Sequence, residues 1–246
     1  MRVAAYQAPL LPTGSLEAIG LIREQVSLCE TRRVDILCCP EAILGGLADH
    51  ASNPRDFAVK VQGGQLRSLL APLASPSVIS ILGFTEIVDD GGLYNSAAVL
   101  KDGDVVGIYR KRQPAIRSSV YRPGIESPVF EVAGFRFGLM ICNDTNCPEF
   151  GDEMVDQGAQ VLFVPSNNAL RREQADVVAS TRAVDIGNAS RNRVPVVRAD
   201  VAGEADGRVA FGASAIIDAA GMVIRAGRHL RTGTLIGDVE IGHTAA

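Results

Sequence analysis

Three residues in this 246-residue chain could do chemistry together: Glu41, Lys111 and Cys142. They offer a carboxylate, an ammonium and a thiol, which are reactive groups of complementary type. Each follows an apolar run that reads as a β-strand. Glu41 comes after Val34-Asp35-Ile36-Leu37-Cys38-Cys39-Pro40, and Lys111 after Val105-Val106-Gly107-Ile108-Tyr109-Arg110. Cys142 comes after Phe135-Arg136-Phe137-Gly138-Leu139-Met140-Ile141. In open α/β sheets ligands bind beyond the carboxyl ends of strands, so the three positions share one kind of address. Other chemistries find no support. His50, His229 and His243 stand far apart, and none lies near a cysteine at metal-ligand spacing. No G-x-S-x-G elbow, P-loop or S-x-x-K occurs, and the glycine pairs at 45–46, 63–64 and 91–92 make no G-x-G-x-x-G. An enzyme of this sequence is expected to work without histidine, metal or cofactor.

Taken singly, each residue has a plain structural explanation. A cysteine ending an apolar strand is commonly a small core hydrophobe, which is how Cys38 and Cys39 read. A carboxylate after proline is commonly a solvated turn residue, and a strand-end lysine a solvated face. Lys111 is less ordinary. Only Lys60, Lys101 and Lys111 are lysines in a chain that otherwise uses arginine. Lysine brings a compact ammonium that a guanidinium does not imitate.

The elements that must position these residues alternate along the chain. Val3–Gln7 and Val34–Cys39 read as strands, with a helix over Leu16–Thr31 between them. A helix over Gln65–Ala74 precedes a strand at Val78–Val88, and Asp89-Asp90-Gly91-Gly92 is a hairpin turn into Tyr94–Leu100. Val105–Tyr109 closes a second hairpin across Lys101-Asp102-Gly103-Asp104. In the second half Pro128–Val132 pairs with Phe135–Ile141, Glu149–Gln157 is helical and Val161–Pro165 is a strand. A long helix is expected over Arg171–Asn188. Val194–Asp200, Ala213–Asp218, Met222–Arg225 and Thr234–Val239 read as closing strands. No linker or composition break interrupts the series, so residues 1–246 read as a single domain. The pattern predicts an α/β fold of two packed sheets with helices outside.

Composition narrows the setting. The chain is 47% hydrophobic and 21% charged with a net charge of −4, which offers no basic field for nucleic acid or an anionic membrane. No apolar stretch approaches the length of a membrane span, and Met1–Gln7 is too polar for a signal peptide. Five cysteines without a secretory signal point to free thiols in the cytoplasm.

The surroundings of the three residues resemble the nitrilase, or carbon–nitrogen hydrolase, superfamily. Pro40-Glu41, Tyr109-Arg110-Lys111 and Cys142-Asn143-Asp144-Thr145-Asn146-Cys147-Pro148-Glu149 are similar to its Glu, Lys and Cys signatures. Arg2–Gln7 resembles its first strand, and Gly83-Phe84-Thr85-Glu86 with Tyr94-Asn95-Ser96-Ala97 its central hairpin. Arg182–Asn188 and Gly212–Asp218 resemble its late helix and strand. The resemblance implies a four-layer α-β-β-α sandwich of two mixed sheets, paired into a homodimer. It implies a small-molecule amide, N-carbamoyl or nitrile substrate attacked by Cys142 through a thioester. Glu41 would be the general base, while Lys111 and the backbone N–H of Asn143 would stabilise the oxyanion. The Lys111 ammonium is expected to lower the thiol pKa.

Two departures from the family pattern matter. Lys111-Arg112-Gln113-Pro114 replaces the usual Lys-x-His-Leu, and no acid occurs between Arg112 and Arg122 where many relatives carry a second glutamate. Near that place stand Ile116, Arg117, Ser118 and Ser119. Arg117 is therefore a candidate for substrate binding, because its planar fork suits a carboxylate. The missing acid also leaves open a degenerate relative that binds a small molecule or partner without turnover. A flavodoxin-like or Rossmann nucleotide-binding module is disfavoured by the absent glycine loop.

Overall fold

Strand alternation builds the layers. The computed structural model describes residues 1–170 and 176–242. In β1 (Arg2–Pro9), Val3 and Ala5 enter one apolar cluster, and Ala4 and Tyr6 another. β2 (Ile36–Cys38) sorts Ile36 and Cys38 from Leu37, and β3 (Ile79–Ile87) sorts Ile79 and Ile81 from Leu82 and Phe84. Successive side chains of a strand point to opposite faces, so this sheet is covered on both sides. That explains the unbroken apolar run Ile36–Cys39, all four residues of which are fully buried.

One face packs under α1 (Ala18–Thr31) and α2 (Gln65–Leu70), which bury Ile22, Val26, Cys29, Leu66 and Leu70. The other meets the second sheet. The first sheet runs β5 (Asp104–Arg110), β4 (Leu93–Lys101), β3, β2, β1, then β11 (Val201–Ala205), β12 (Arg208–Phe211) and β9 (Ala169–Leu170). β15 (Gly233–Asp238) pairs antiparallel with β1. The second sheet runs β14 (Val223–Ala226), β13 (Ala215–Ile217), β10 (Val196–Ala199), β8 (Leu162–Pro165), β7 (Phe135–Leu139) and β6 (Val129–Val132). Each sheet mixes parallel and antiparallel pairs. α3 (Pro148–Asp156) and α4 (Val177–Asn192) lie on the second sheet, where Met154 and Ala189 join its core. The architecture is the α-β-β-α sandwich of two mixed sheets. Among the described residues no helix is long and apolar enough to cross a membrane.

Two expectations need correction. The expected helix over Arg171–Asn188 is α4, which runs on to Asn192, and residues 171–175 lie outside the described residues. The expected strand Val194–Asp200 ends at Ala199. At Asp200 the chain leaves the second sheet and enters the first as the β11–β12 hairpin. Ala205 pairs with Arg208 across Asp206 and Gly207, both at positive φ, of 49° and 71°. A two-residue turn of this hand favours Asp-Gly, and that dipeptide was the unread signal.

Candidate active site

Glu41 sits three residues past the end of β2, between the sheets. Its N–H donates to Ser166 O at 3.2 Å, just beyond β8 of the second sheet. Ala42 follows in the left-handed region, with φ 47°. β3 passes close behind this turn at Gly83. A Cβ there would stand 2.4 Å from Ala42 N and Pro40 O and 2.8 Å from Glu41 Cα, so only glycine fits. Lys111 leaves β5 with its N–H on Asn95 O at 2.8 Å, while its own carbonyl accepts from Gly124 N at 2.7 Å.

The side chains of Lys111 and Glu41 meet in the interior. Lys111 Nζ lies 2.5 Å from Glu41 Oε1, and the two are 5% and 2% exposed. Asn95 Nδ2 also donates to Oε1, at 2.7 Å, and Asn167 N–H donates to Oε2 at 2.9 Å. A carboxylate oxygen has about two acceptor sites. Oε1 is thus filled, and Oε2 keeps room for one more donor. Burial disfavours the Lys111 ammonium, but the charge and hydrogen bond of Glu41, and then the charge of Asp144, hold its pKa above the ordinary lysine value. The ammonium is fixed in its charged state.

Cys142 opens a short 3₁₀ turn (Cys142–Asn146) after β7. Its φ is 49°, a conformation that costs a non-glycine residue about 1–2 kcal/mol. Hydrogen bonds hold it there. Thr145 Oγ1 donates to Cys142 O at 2.9 Å, and Asp144 and Ile141 exchange backbone and carboxylate bonds at 3.1 and 2.9 Å. The Asp144 carboxylate accepts from Tyr109 Oη at 2.8 Å, Gln113 N at 2.7 Å and Arg112 N at 3.1 Å. This buried clamp joins the exit of β5 to the cysteine turn. Burial pushes the Asp144 carboxyl up to about 6, against Lys111 and these donors, which pull it down.

Glu41, Lys111 and Cys142 therefore converge. The charges of Glu41 and Lys111 both act on the thiol. Its pKa is pushed up to about 12, chiefly by burial and then by Glu41, with Lys111 and Arg198 pulling the other way. The expected lowering by Lys111 is real as one contribution, but burial outweighs it.

Asn143 stands in the first turn after Cys142, where backbone N–H groups lack intrahelical acceptors. Its side chain donates to Gln113 O and Pro114 O, both at 3.4 Å, and so holds the loop after Lys111. Arg117 is exposed on that loop. Among the described residues no hydrogen bond or ion pair ties it to the three central side chains. Sequence reasoning missed Asn95, Asn167, Asn168 and Asp200. The rule that found the others would have reached three of them, since Asn167 and Asn168 follow β8, and Asp200 follows β10. Among the described residues no group of three or more His, Cys, Asp or Glu is arranged to hold a metal ion. A cavity of about 330 Å³ lined by Lys60, Glu86, Tyr94, Arg110 and Glu126 contains none of the three central side chains.

A carbon–nitrogen hydrolase family model matches residues 2–246. The chain belongs to that family. This carbon–nitrogen hydrolase is 30% identical over 199 residues to an (R)-stereoselective amidase of a Pseudomonas species, covering 79% of this chain and 69% of that one. It is 30% identical over 193 residues to a Pseudomonas protegens protein described as a hydrolase in the pqqF 5' region, covering 75% and 66%. It spans about two thirds of those relatives, and 38% of a glutamine-dependent NAD(+) synthetase from Thermotoga maritima. A carbon–nitrogen hydrolase from Helicobacter pylori G27 shares the fold with a TM-score of 0.82 at 22% identity, over 97% of this chain and 88% of that one. An amidase from Nesterenkonia AN1 does so with a TM-score of 0.77 at 21% identity, over 96% and 89%. In a glutamate-to-glutamine mutant of that amidase, acrylamide and the acetamide moiety of fluoroacetamide have been seen bonded to the active-site cysteine.

Proposed function

We propose that this carbon–nitrogen hydrolase cleaves an amide-type bond of a small molecule through a thioester on Cys142. The observation that carries the reading is the buried Lys111–Glu41 pair beside the half-buried thiol. Glu41 takes the thiol proton through the open site on Oε2 as Sγ attacks the carbonyl carbon. Lys111 and the Asn143 N–H stabilise the oxyanion, whose charge develops in a water-poor site. Glu41 then protonates the leaving amine and activates the hydrolytic water. The thiol reacts by proton transfer to Glu41 in the act of attack, which fits its raised pKa. The adducts on the Nesterenkonia amidase's cysteine support Cys142 as nucleophile.

The experiment is release of ammonia or amine from a panel of amides, N-carbamoyl compounds and nitriles, with limited iodoacetamide labelling beside it. Turnover and preferential labelling of Cys142 are expected. Cys29, Cys38 and Cys39 are buried, and Cys147 is the half-exposed rival. Preferential labelling of Cys147 would count against the assignment. A second reading is a degenerate relative that binds without turnover. The absence of any acid between Arg112 and Arg122 favours it, and ligand binding with no product release across the panel would establish it.

Arg117 is proposed to grip a substrate carboxylate. Arg117→Ala should then lower kcat/KM by about 2–5 kcal/mol equivalent on an acidic amide and far less on a neutral one. Equal rates of the parent enzyme on both substrates would discard the role. We also propose that residues 1–246 form one domain, working as a homodimer in the cytoplasm. α4 supports the dimer weakly, since its Ala179 and Ala183 are exposed small residues, and Ala175 lies outside the described residues. Light scattering showing only monomer at micromolar concentration would refute it.

A further inference from the structure

The thiol of Cys142 makes one hydrogen bond that the proposed mechanism does not use. Sγ donates to Asn168 Oδ1 at 3.7 Å, a normal reach for sulfur. Asn168 is only 8% exposed and Asp200 is fully buried. The Asn168 amide has no freedom to turn over. Its Nδ2 donates to Asp200 Oδ2 at 3.0 Å, and its backbone N–H donates to Asp200 Oδ1 at 3.0 Å. Asp200 is itself held by Val201 N at 2.9 Å and Ala213 N at 3.0 Å, and its own N–H donates to Ser214 Oγ at 2.9 Å. A carboxylate accepts and does not donate, so it fixes the amide nitrogen on its own side and the amide oxygen toward the sulfur. Flipping the amide would set oxygen against carboxylate and nitrogen against thiol. Asp200 sits where the chain crosses between sheets, so the pair is anchored to both.

We propose that Asn168, oriented by Asp200, is a positioning residue for Cys142: its amide oxygen fixes the sulfur's rotamer and holds the nucleophile as a thiol at rest. An acceptor stabilises S–H and opposes a thiolate. Glu41 therefore receives the proton only when an electrophile draws the sulfur forward. This rests on the reading of Cys142 as nucleophile.

The test follows iodoacetamide alkylation of Cys142 from mildly acidic to alkaline pH, read by peptide mass mapping. Asn168→Ala and Asn168→Asp are compared with the parent enzyme, each checked for folding by circular dichroism. Removing the acceptor in Asn168→Ala should lower the thiol pKa. A drop of one unit raises the thiolate fraction tenfold but lowers nucleophilicity, leaving alkylation about threefold faster at neutral pH. Asn168→Asp keeps an acceptor there, protonated or ionised, and should be alkylated no faster than the parent. Simple loosening of the pocket would admit water in both variants and speed both. Acceleration of both, or of neither, overturns the proposal. If Asn168→Ala fails to fold, Asn168→Ser takes its place: serine is too short to span Asp200 and the sulfur, so acceleration is again expected and its absence overturns the proposal. If Asn168→Asp fails, Asn168→Gln takes its place: it keeps an amide acceptor, so alkylation no faster than the parent is expected and acceleration overturns the proposal. Failure of the parent enzyme to label at Cys142 would instead strike the nucleophile assignment, so the two failures are distinct.

Discussion

Replacing Glu41 with Gln is expected to lower kcat/KM on any amide the enzyme turns over by about 10³-fold or more, and to slow alkylation of Cys142. The substitution keeps the shape and removes the base. A positioned general base contributes about 10²–10⁴-fold to a single step, and Glu41 is proposed to serve in several. The hydrogen-bond pattern adds to the loss. Glu41 accepts from Lys111 and Asn95 on Oε1 and from Asn167 on Oε2, so every neighbour is a donor. A glutamine must aim its NH₂ at one of them, whichever way it turns. It also leaves the buried Lys111 ammonium without its nearest counter-charge, which destabilises the charged state that the oxyanion needs. Steady-state kinetics with melting curves separate the effects. A folded variant within about tenfold of the parent's kcat/KM would remove Glu41 from the mechanism.

How much of this was legible in the sequence differs by element. The strands leading to Glu41 and Cys142 are mostly apolar and end in fully buried residues, because both faces of their sheets are covered there, while β5 before Lys111 is an edge strand with Val106 exposed; all three still read as strands. The residues that end them were therefore visible. What holds them was not. Cys142 and Ala42 occupy left-handed backbone, which neither residue type signals. Gly83 reads as an ordinary strand glycine until the Pro40–Ala42 turn is seen behind it. Asp144 looks like part of a cysteine motif. Only the fold shows it gathering Tyr109, Arg112 and Gln113 from the far side of the site. The crossing at Asp200 was hidden because only that residue separates β10 from β11, and β11 carries Gly203 and Glu204, so no second apolar run marks the chain's entry into the other sheet. The raised thiol pKa depends on burial in three dimensions, whereas residue type alone suggested only the pull of Lys111.

The largest stability effect is expected behind the site, at Arg198. This side chain is 1% exposed on β10, and its guanidinium makes a two-pronged pair with Asp185 of α4, Nε and Nη2 each 2.6 Å from a carboxylate oxygen. Nη2 also donates to Thr145 Oγ1 at 3.1 Å, and Nη1 donates to Ser166 Oγ. Thr145 holds the Cys142 carbonyl, and the Ser166 carbonyl accepts from Glu41 N–H, so one guanidinium braces both sides of the centre. Burial works against its charge, but Asp185 more than offsets this and keeps the Arg198 pKa above its ordinary value. Arg198→Met leaves the buried Asp185 carboxylate without its two-pronged partner, with only the more distant charge of Arg182 acting on it. Removing one partner of such a pair costs about 3–5 kcal/mol, which for a chain of this length lowers Tm by about 6–20 °C. Desolvating the pair was itself expensive, so exchanging both residues for apolar ones should cost less than exchanging one. Arg198→Met with Asp185→Leu is therefore expected to melt above Arg198→Met alone, while activity stays low because Thr145 and Ser166 lose their brace. Thermal melts of the two single variants and the double variant give the coupling directly. Additive losses in the double variant would show that Arg198 acts through packing alone.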